Sequence, residues 1–162
     1  MKNEKLINDI AETTVMMTDG VTTVAETKGV SVRELEAVYN VGFAYYRSGR
    51  YDEAEKVFQF LCAFEHTNSK FWTAFGATRQ AKKNYADAIK AYAAASFLDI
   101  HAPKPHYYAA ECAFILKDYD SAESAVKSLL ELCPAGQEQN DKYRAKAEKL
   151  QALVKAIRAN EK

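Results

Sequence analysis

Proline, glycine, tryptophan and histidine are scarce in this chain: three, six, one and three among 162 residues. No stretch alternates apolar with polar residues as a half-buried strand does, so helices are the expected element throughout. No apolar run approaches the length needed to cross a bilayer, and no signal-peptide pattern opens the sequence. A membrane anchor and general secretory export are therefore not expected. Net charge is absent too, with 22 basic against 22 acidic residues and no basic block. That removes the electrostatic footprint of a nucleic-acid binder. The cysteines, Cys62, Cys112 and Cys133, are odd in number and none are at metal-ligand spacing. They read as buried reduced thiols of a cytosolic protein, not as a disulfide frame or a zinc site. Of the histidines, His101 and His106 flank a turn with Glu111 further on. A solvated loop is the preferred reading there over a metal site. No glycine-rich phosphate loop occurs, no histidine is placed by motif to activate a thiol, and nothing points to an enzyme, a cofactor or a resident metal.

What is present is repetition. Gly42, Gly76 and Ala110 stand 34 residues apart, as do Tyr51, Tyr85 and Tyr119, and again Ala54, Ala88 and Ala122. Three columns keeping one period of 34, small residues in two and tyrosine in the third, are the signature of the tetratricopeptide repeat. Each unit is a pair of antiparallel helices that buries its apolar side only by stacking on its neighbours. The expected fold is all-α: a right-handed superhelical stack of three repeats, 35–68, 69–102 and 103–136, within a repeat region 31–136. An N-terminal helix and loop (1–30) precede it, and a C-terminal solvating helix (137–162) closes it.

In chain order, Lys5 to Thr18 carries a thin helical stripe of Leu6, Ile7, Ile10, Thr14 and Met17, ended by Asp19-Gly20. Such a helix either covers an end of the solenoid or pairs with another chain. Val21 to Gly29 reads as a short helical turn or a loop. Ser31 to Glu34 is a capping box, with Val30 and Leu35 as its hydrophobic staple, opening a helix that runs to Arg47 or Ser48 and is closed by Gly49. The second helix spans about Asp52 to Phe64. Ser69 is the expected N-cap of a helix through Lys82. Lys83-Asn84 turns the chain into Tyr85–Leu98. Pro103 and Pro105 suit the first turn of the next helix, Lys117-Asp118 turns again, and Tyr119–Cys133 returns to Pro134-Ala135-Gly136. From Gln137 a long helix carries Tyr143, Ala147, Leu150, Leu153, Val154 and Ile157 on one stripe.

Several blocks match more than a generic repeat: Phe58 to Cys62, Phe71 to Gln80, Leu98-Asp99-Ile100 with Pro103, and Ala109 to Cys112. With Asp19 to Thr22 and Leu35 to Tyr39 upstream, they resemble the LcrH/SycD family, the class II chaperones of bacterial type III secretion. The resemblance covers roughly residues 15 to 135, ungapped across the repeats. It implies a cytoplasmic bacterial chaperone that binds the hydrophobic translocator proteins of the secretion needle by short extended segments in its concave groove, keeping them soluble and apart before export. Dimerisation through the N-terminal region and, in some members, action with a transcription activator are also implied. Tyr107 and Tyr108 depart from the family's usual Phe and His, and His106 stands where its second proline is usual. The alternative is a generic repeat adaptor or scaffold joining folded cytosolic partners.

In such repeats the first helix of each pair lines the concave side, and steps of three and four pick one face of it. Those positions are Tyr39, Phe43 and Tyr46, then Thr73, Ala77 and Gln80, then Tyr107, Glu111 and Phe114. Arg47, Arg79 or Gln80 is expected to hold a peptide's main chain. Val38, Val41 and Tyr45 are assigned to the core, which frees the three aromatics of the first repeat for binding. Spaced apolar anchors of a partner would fit between them.

Overall fold

The computed structural model describes residues 22–134 and 138–160. Among them the chain forms helices and no strand: α1 (Val24–Thr27), α2 (Val32–Arg47), α3 (Tyr51–Phe64), α4 (Ser69–Ala81), α5 (Tyr85–Leu98), α6 (Pro103–Ile115), α7 (Tyr119–Leu132) and α8 (Glu138–Asn160). The expected N-terminal helix over Lys5–Thr18 lies outside the described residues, as does the stop at Ala135-Gly136. The stretch before Gly29 resolves into the single turn α1, opened by a Thr23–Glu26 capping box that the sequence reading did not anticipate.

Helices pair as α2 with α3, α4 with α5 and α6 with α7, and each pair packs on the next. Helix α8 packs on α7 and α6, the place a following repeat would take. The pairs close because a small residue sits under a large one. A Cβ added at Gly42 would stand 2.9 Å from the Phe58 ring, and one at Gly76 would stand 2.8 Å from the Tyr92 ring. In the third pair the column holds Ala110, and the opposing column holds the smaller Val126; both are fully buried in one cluster. Ala54, Ala88 and Ala122 are all 0% exposed, as are Leu61, Ala95 and Leu129, so the 34-residue period persists in the core.

The turns inside the pairs repeat as well. Gly49, Lys83 and Lys117, one period apart, all have left-handed backbone, with φ of 77°, 63° and 62°. In each turn two amides bond back to the preceding helix: Gly49 to Tyr46 and Arg50 to Tyr45, Lys83 to Gln80 and Asn84 to Arg79, Lys117 to Phe114 and Asp118 to Ala113. This double bond is the Schellman closure. Asn84 and Asp118 then act as N-caps, accepting from the Asp87 and Ser121 amides. A left-handed lysine costs about 1–2 kcal/mol relative to right-handed backbone, and glycine at Gly49 avoids that strain.

Some expectations shift by one residue. The N-cap of α4 is Asn68, whose side chain accepts from the Lys70 amide, while the Ser69 hydroxyl donates to the Ala95 carbonyl at 3.0 Å. Ser69 therefore ties α4 to α5. Val41, expected in the core, is 50% exposed, because the buried line of α2 runs through Leu35 and Gly42 and Val41 sits one residue off it. Val38 and Tyr45 are half-buried against the first core cluster. On α8 the buried line is Ala147, Leu150 and Val154, which turns Leu153 outward at 54% exposure.

Gly76→Ala is expected to lower unfolding stability by about 1–3 kcal/mol, the usual effect of overpacking a filled core. Lys83→Gly is expected to raise it by about 0.5–1 kcal/mol, the relief of left-handed strain less the added freedom of the unfolded chain. Urea midpoints at constant slope read both.

Candidate functional site

A groove of about 1110 Å³ runs along the first helices of the pairs. That exceeds the roughly 300–1,000 Å³ of a typical small-molecule pocket and suits a length of polypeptide. From α2 it takes Tyr39, Phe43 and Tyr46; from α4, Thr73, Ala77 and Gln80 on one column and Phe71, Ala74 and Ala81 on another; from α6, Pro105, Tyr108 and Ile115. Val32, Phe43 and Ile115 line it while staying 76%, 44% and 44% exposed, so the groove presents apolar surface to solvent.

Its first-repeat end is an aromatic stack. Tyr39 lies 6.3 Å from Phe43 with nearly parallel rings, and 5.9 and 5.5 Å from Phe71 and Phe58. Lys70 sits 4.0 Å above the Tyr39 ring and is paired with Glu36 at 2.7 Å. The stack joins Tyr39 to the core and leaves the Phe43 ring open. Ala74 and Ala77 leave space in the middle.

The other end is polar at its base. The Tyr92 hydroxyl donates to Gln80 Oε1 at 2.7 Å, Gln80 Nε2 donates to Glu111 at 2.7 Å, and the Tyr107 hydroxyl donates to the other Glu111 oxygen at 3.0 Å. Burial and the Glu111 carboxylate push the Tyr107 phenol up to about 12. Burial likewise raises Tyr39, Tyr46 and Tyr108, so all of these phenols are neutral at physiological pH. Tyr107 and Tyr143 stand 6.1 Å apart, and Lys146 of α8 lies over the rings of Tyr107, Tyr108 and Tyr143 at 4.8, 5.7 and 5.9 Å.

Of the ten residues expected to bind, six line the groove: Tyr39, Phe43, Tyr46, Thr73, Ala77 and Gln80. Four do not. Tyr107 and Phe114 pack in the cluster that α8 covers, Glu111 sits behind Gln80, and Arg47 is exposed beside the groove. Arg79, offered as a main-chain clamp, instead pairs with Glu55 at 3.2 Å and lies over the Phe75 ring at 3.9 Å. It lines a separate cleft of about 650 Å³ with Trp72, Phe97 and Cys62. The sequence reading missed the second column. Phe71, Ala74 and Ala81 recur one period later as Pro105, Tyr108 and Ile115, and that recurrence was the available signal.

His106 lies in the first turn of α6, half-buried, and burial lowers its pKa, which departs from the solvated loop expected for it. Among the described residues no group of three His, Cys, Asp or Glu side chains is arranged to hold a metal, and no helix is long and apolar enough to cross a membrane.

Residues 35–68 and 69–99 match the tetratricopeptide repeat model, so the fold and its groove are those of a tetratricopeptide-repeat protein. The chain is 38% identical over 104 residues to the low calcium response locus protein H of Yersinia pestis, which covers 64% of this chain and 62% of that protein. It thus spans a little under two thirds of that relative's length. A chain in the crystal structure of a T3SS complex from Aeromonas hydrophila is similar at TM-score 0.83 and 32% identity, over 92% of this chain and 98% of that one. The type III secretion chaperone SycD of Yersinia enterocolitica, solved with a peptide of the translocator YopD, is similar at TM-score 0.74 and 32% identity, over 80% and 98% of the two chains. SycD has also been solved as an alternative dimer. This chain belongs to the LcrH/SycD family of type III secretion translocator chaperones. That family is one of chaperones, not enzymes.

All three cysteines are free and buried, and burial pushes the Cys62 and Cys112 thiols up to about 12 and raises Cys133. Because the thiolate is the reactive form, native protein at pH 8 is expected to resist iodoacetamide, and all three thiols should react once the chain is unfolded in guanidinium. Intact-mass measurement counts the adducts.

Proposed function

We propose that this chain is a cytoplasmic chaperone of type III secretion that holds a hydrophobic translocator by an extended segment laid in the groove, keeping it soluble and apart until export. The observation that carries the reading is the groove itself: 1110 Å³ lined by aromatic and small side chains, with Val32, Phe43 and Ile115 presented to solvent. A relative of the same fold, SycD, is solved with a translocator peptide. A chain of extended residues offers alternate side chains to such a surface, and a few buried anchors supply most of the affinity.

Tyr39, Phe43, Tyr46, Thr73 and Ala77 are the residues proposed to touch the segment. Gln80, Tyr107, Glu111 and Phe114 hold the groove's floor and far wall in place, and Arg47 stands at its edge. The region 1–30 is proposed as the segment through which two copies pair; the alternative dimer of SycD supports pairing in this family.

Co-expression with the translocators of the protein's own cell, followed by pull-down and sizing, tests the reading: a translocator should be soluble only when the chaperone is present. Phe43→Ala removes an open ring, and Ala77→Leu fills the groove's middle. Each is expected to weaken binding about tenfold or more, the loss of an interface anchor, with helix content unchanged by circular dichroism. Undiminished binding by both variants places the site elsewhere. A folded cytosolic partner in place of a translocator means an adaptor.

A further inference from the structure

An extended segment brings unpaired amides and carbonyls into whatever groove it enters, and each must find a partner there. The polar groups of this groove are mostly engaged already. Thr73 Oγ1 donates to the Ser69 carbonyl at 2.8 Å. Both ends of the Gln80 amide are held, by Tyr92 and by Glu111, so Gln80 is a strut of the floor. Lys70 is bound to Glu36 and stacked on Tyr39.

Four phenols that line the groove, Tyr39, Tyr46, Tyr85 and Tyr108, make no hydrogen bond among the described residues, and two of them flank its middle. Tyr46 on α2 and Tyr108 on α6 both line the groove, on opposite sides of α4 and its small residues Ala74 and Ala77. Their rings are held by neighbouring rings: Tyr46 is tilted against Tyr51 at 5.5 Å, and Tyr108 stacks on Tyr92 at 5.8 Å and meets Tyr107 edge-on at 5.2 Å. No side chain or carbonyl among the described residues takes a hydrogen bond from either phenol, and burial, with lesser contributions from the neighbouring phenols of Tyr51 and Tyr108, raises the pKa of Tyr46. A neutral phenol both donates and accepts, so each can meet a carbonyl or an amide.

We infer that the Tyr46 and Tyr108 hydroxyls, facing the groove from either side of α4, are the clamp that takes the main chain of the bound segment. The inference rests on the chaperone reading above. It gives the groove a role that apolar anchors do not supply: fixing where along the segment, and in which direction, the chain lies.

The test uses a fluorescein-labelled peptide covering the translocator segment that the full chaperone protects from proteolysis. Tyr46→Phe and Tyr108→Phe keep the rings and remove only the hydroxyls. Each is expected to weaken peptide binding about five- to tenfold in fluorescence anisotropy, the range of one hydrogen bond, with the melting midpoint unchanged. Scanning the peptide with single backbone N-methyl groups should find a position where the methyl weakens binding to wild type and adds nothing further to one tyrosine variant. Tyr92→Phe, which frees Gln80, is expected to lower the melting midpoint instead. If wild type binds and both phenylalanine variants bind within twofold of it, the clamp is wrong and the chaperone reading stands. If wild type does not bind the peptide, both fall.

Discussion

The stack depends on one contact made three times: a small residue on the first helix of a pair set under a large one on the second. Glycine meets phenylalanine at Gly42 and tyrosine at Gly76, within 3 Å of where a Cβ would stand. In the third pair alanine shares a buried cluster with valine. The two columns trade volume, a large ring against glycine and a smaller valine against alanine. Close packing of this kind leaves no slack. The separation within a pair sets how the next pair can seat, and the succession of seats leaves the groove on one side. Tyr92 joins packing to site directly, since its ring covers Gly76 and its hydroxyl pins Gln80 on the groove floor.

Much of this was legible because a period is a strong constraint. Once Gly42, Gly76 and Ala110 are aligned, helix limits follow to within a residue or two; the two small-residue columns named from the sequence are buried, and the tyrosine column is half-buried. The turns were harder. Only Gly49 advertises a left-handed residue; Lys83 and Lys117 take the same conformation because two backbone hydrogen bonds and a following Asn or Asp cap reward it. Propensity alone does not reveal a lysine held there. Val41 and Leu153 show the other limit. An apolar residue one step off a buried line looks the same in sequence as one on it, and only the close approach at Gly42, or at Ala147 and Val154 on α8, fixes the phase.

The groove was half legible for a related reason. Adding one period to a binding column assumes that every repeat has the same neighbour, and the last repeat does not. Its next neighbour is α8, which covers Tyr107 and Phe114 and brings Tyr143 and Lys146 against them. The column facing back towards the second repeat stays open, and there Pro105, Tyr108 and Ile115 complete the wall. End effects of this sort belong to any short solenoid, where a large share of the repeats are terminal.

The closing helix is therefore part of the site as well as its lid. By burying Tyr107 it holds the hydroxyl that bonds Glu111; Glu111 orients Gln80; and Gln80 meets Tyr92, whose ring stacks on Tyr108 in the groove wall. This chain of neutral donors around one carboxylate runs from α8 to the groove, and every link is a side chain already fixed by packing. The parts of the groove consequently differ in kind. Exposed aromatic and aliphatic surface at the first repeat offers affinity that tolerates many apolar sequences. The fixed hydroxyls of Tyr46 and Tyr108 across its middle offer geometry, which does not depend on which apolar side chain is bound. On the proposed reading, a surface so divided would accept varied apolar anchors and still hold the main chain in one register, which a chaperone needs if its partner must be kept extended without being folded.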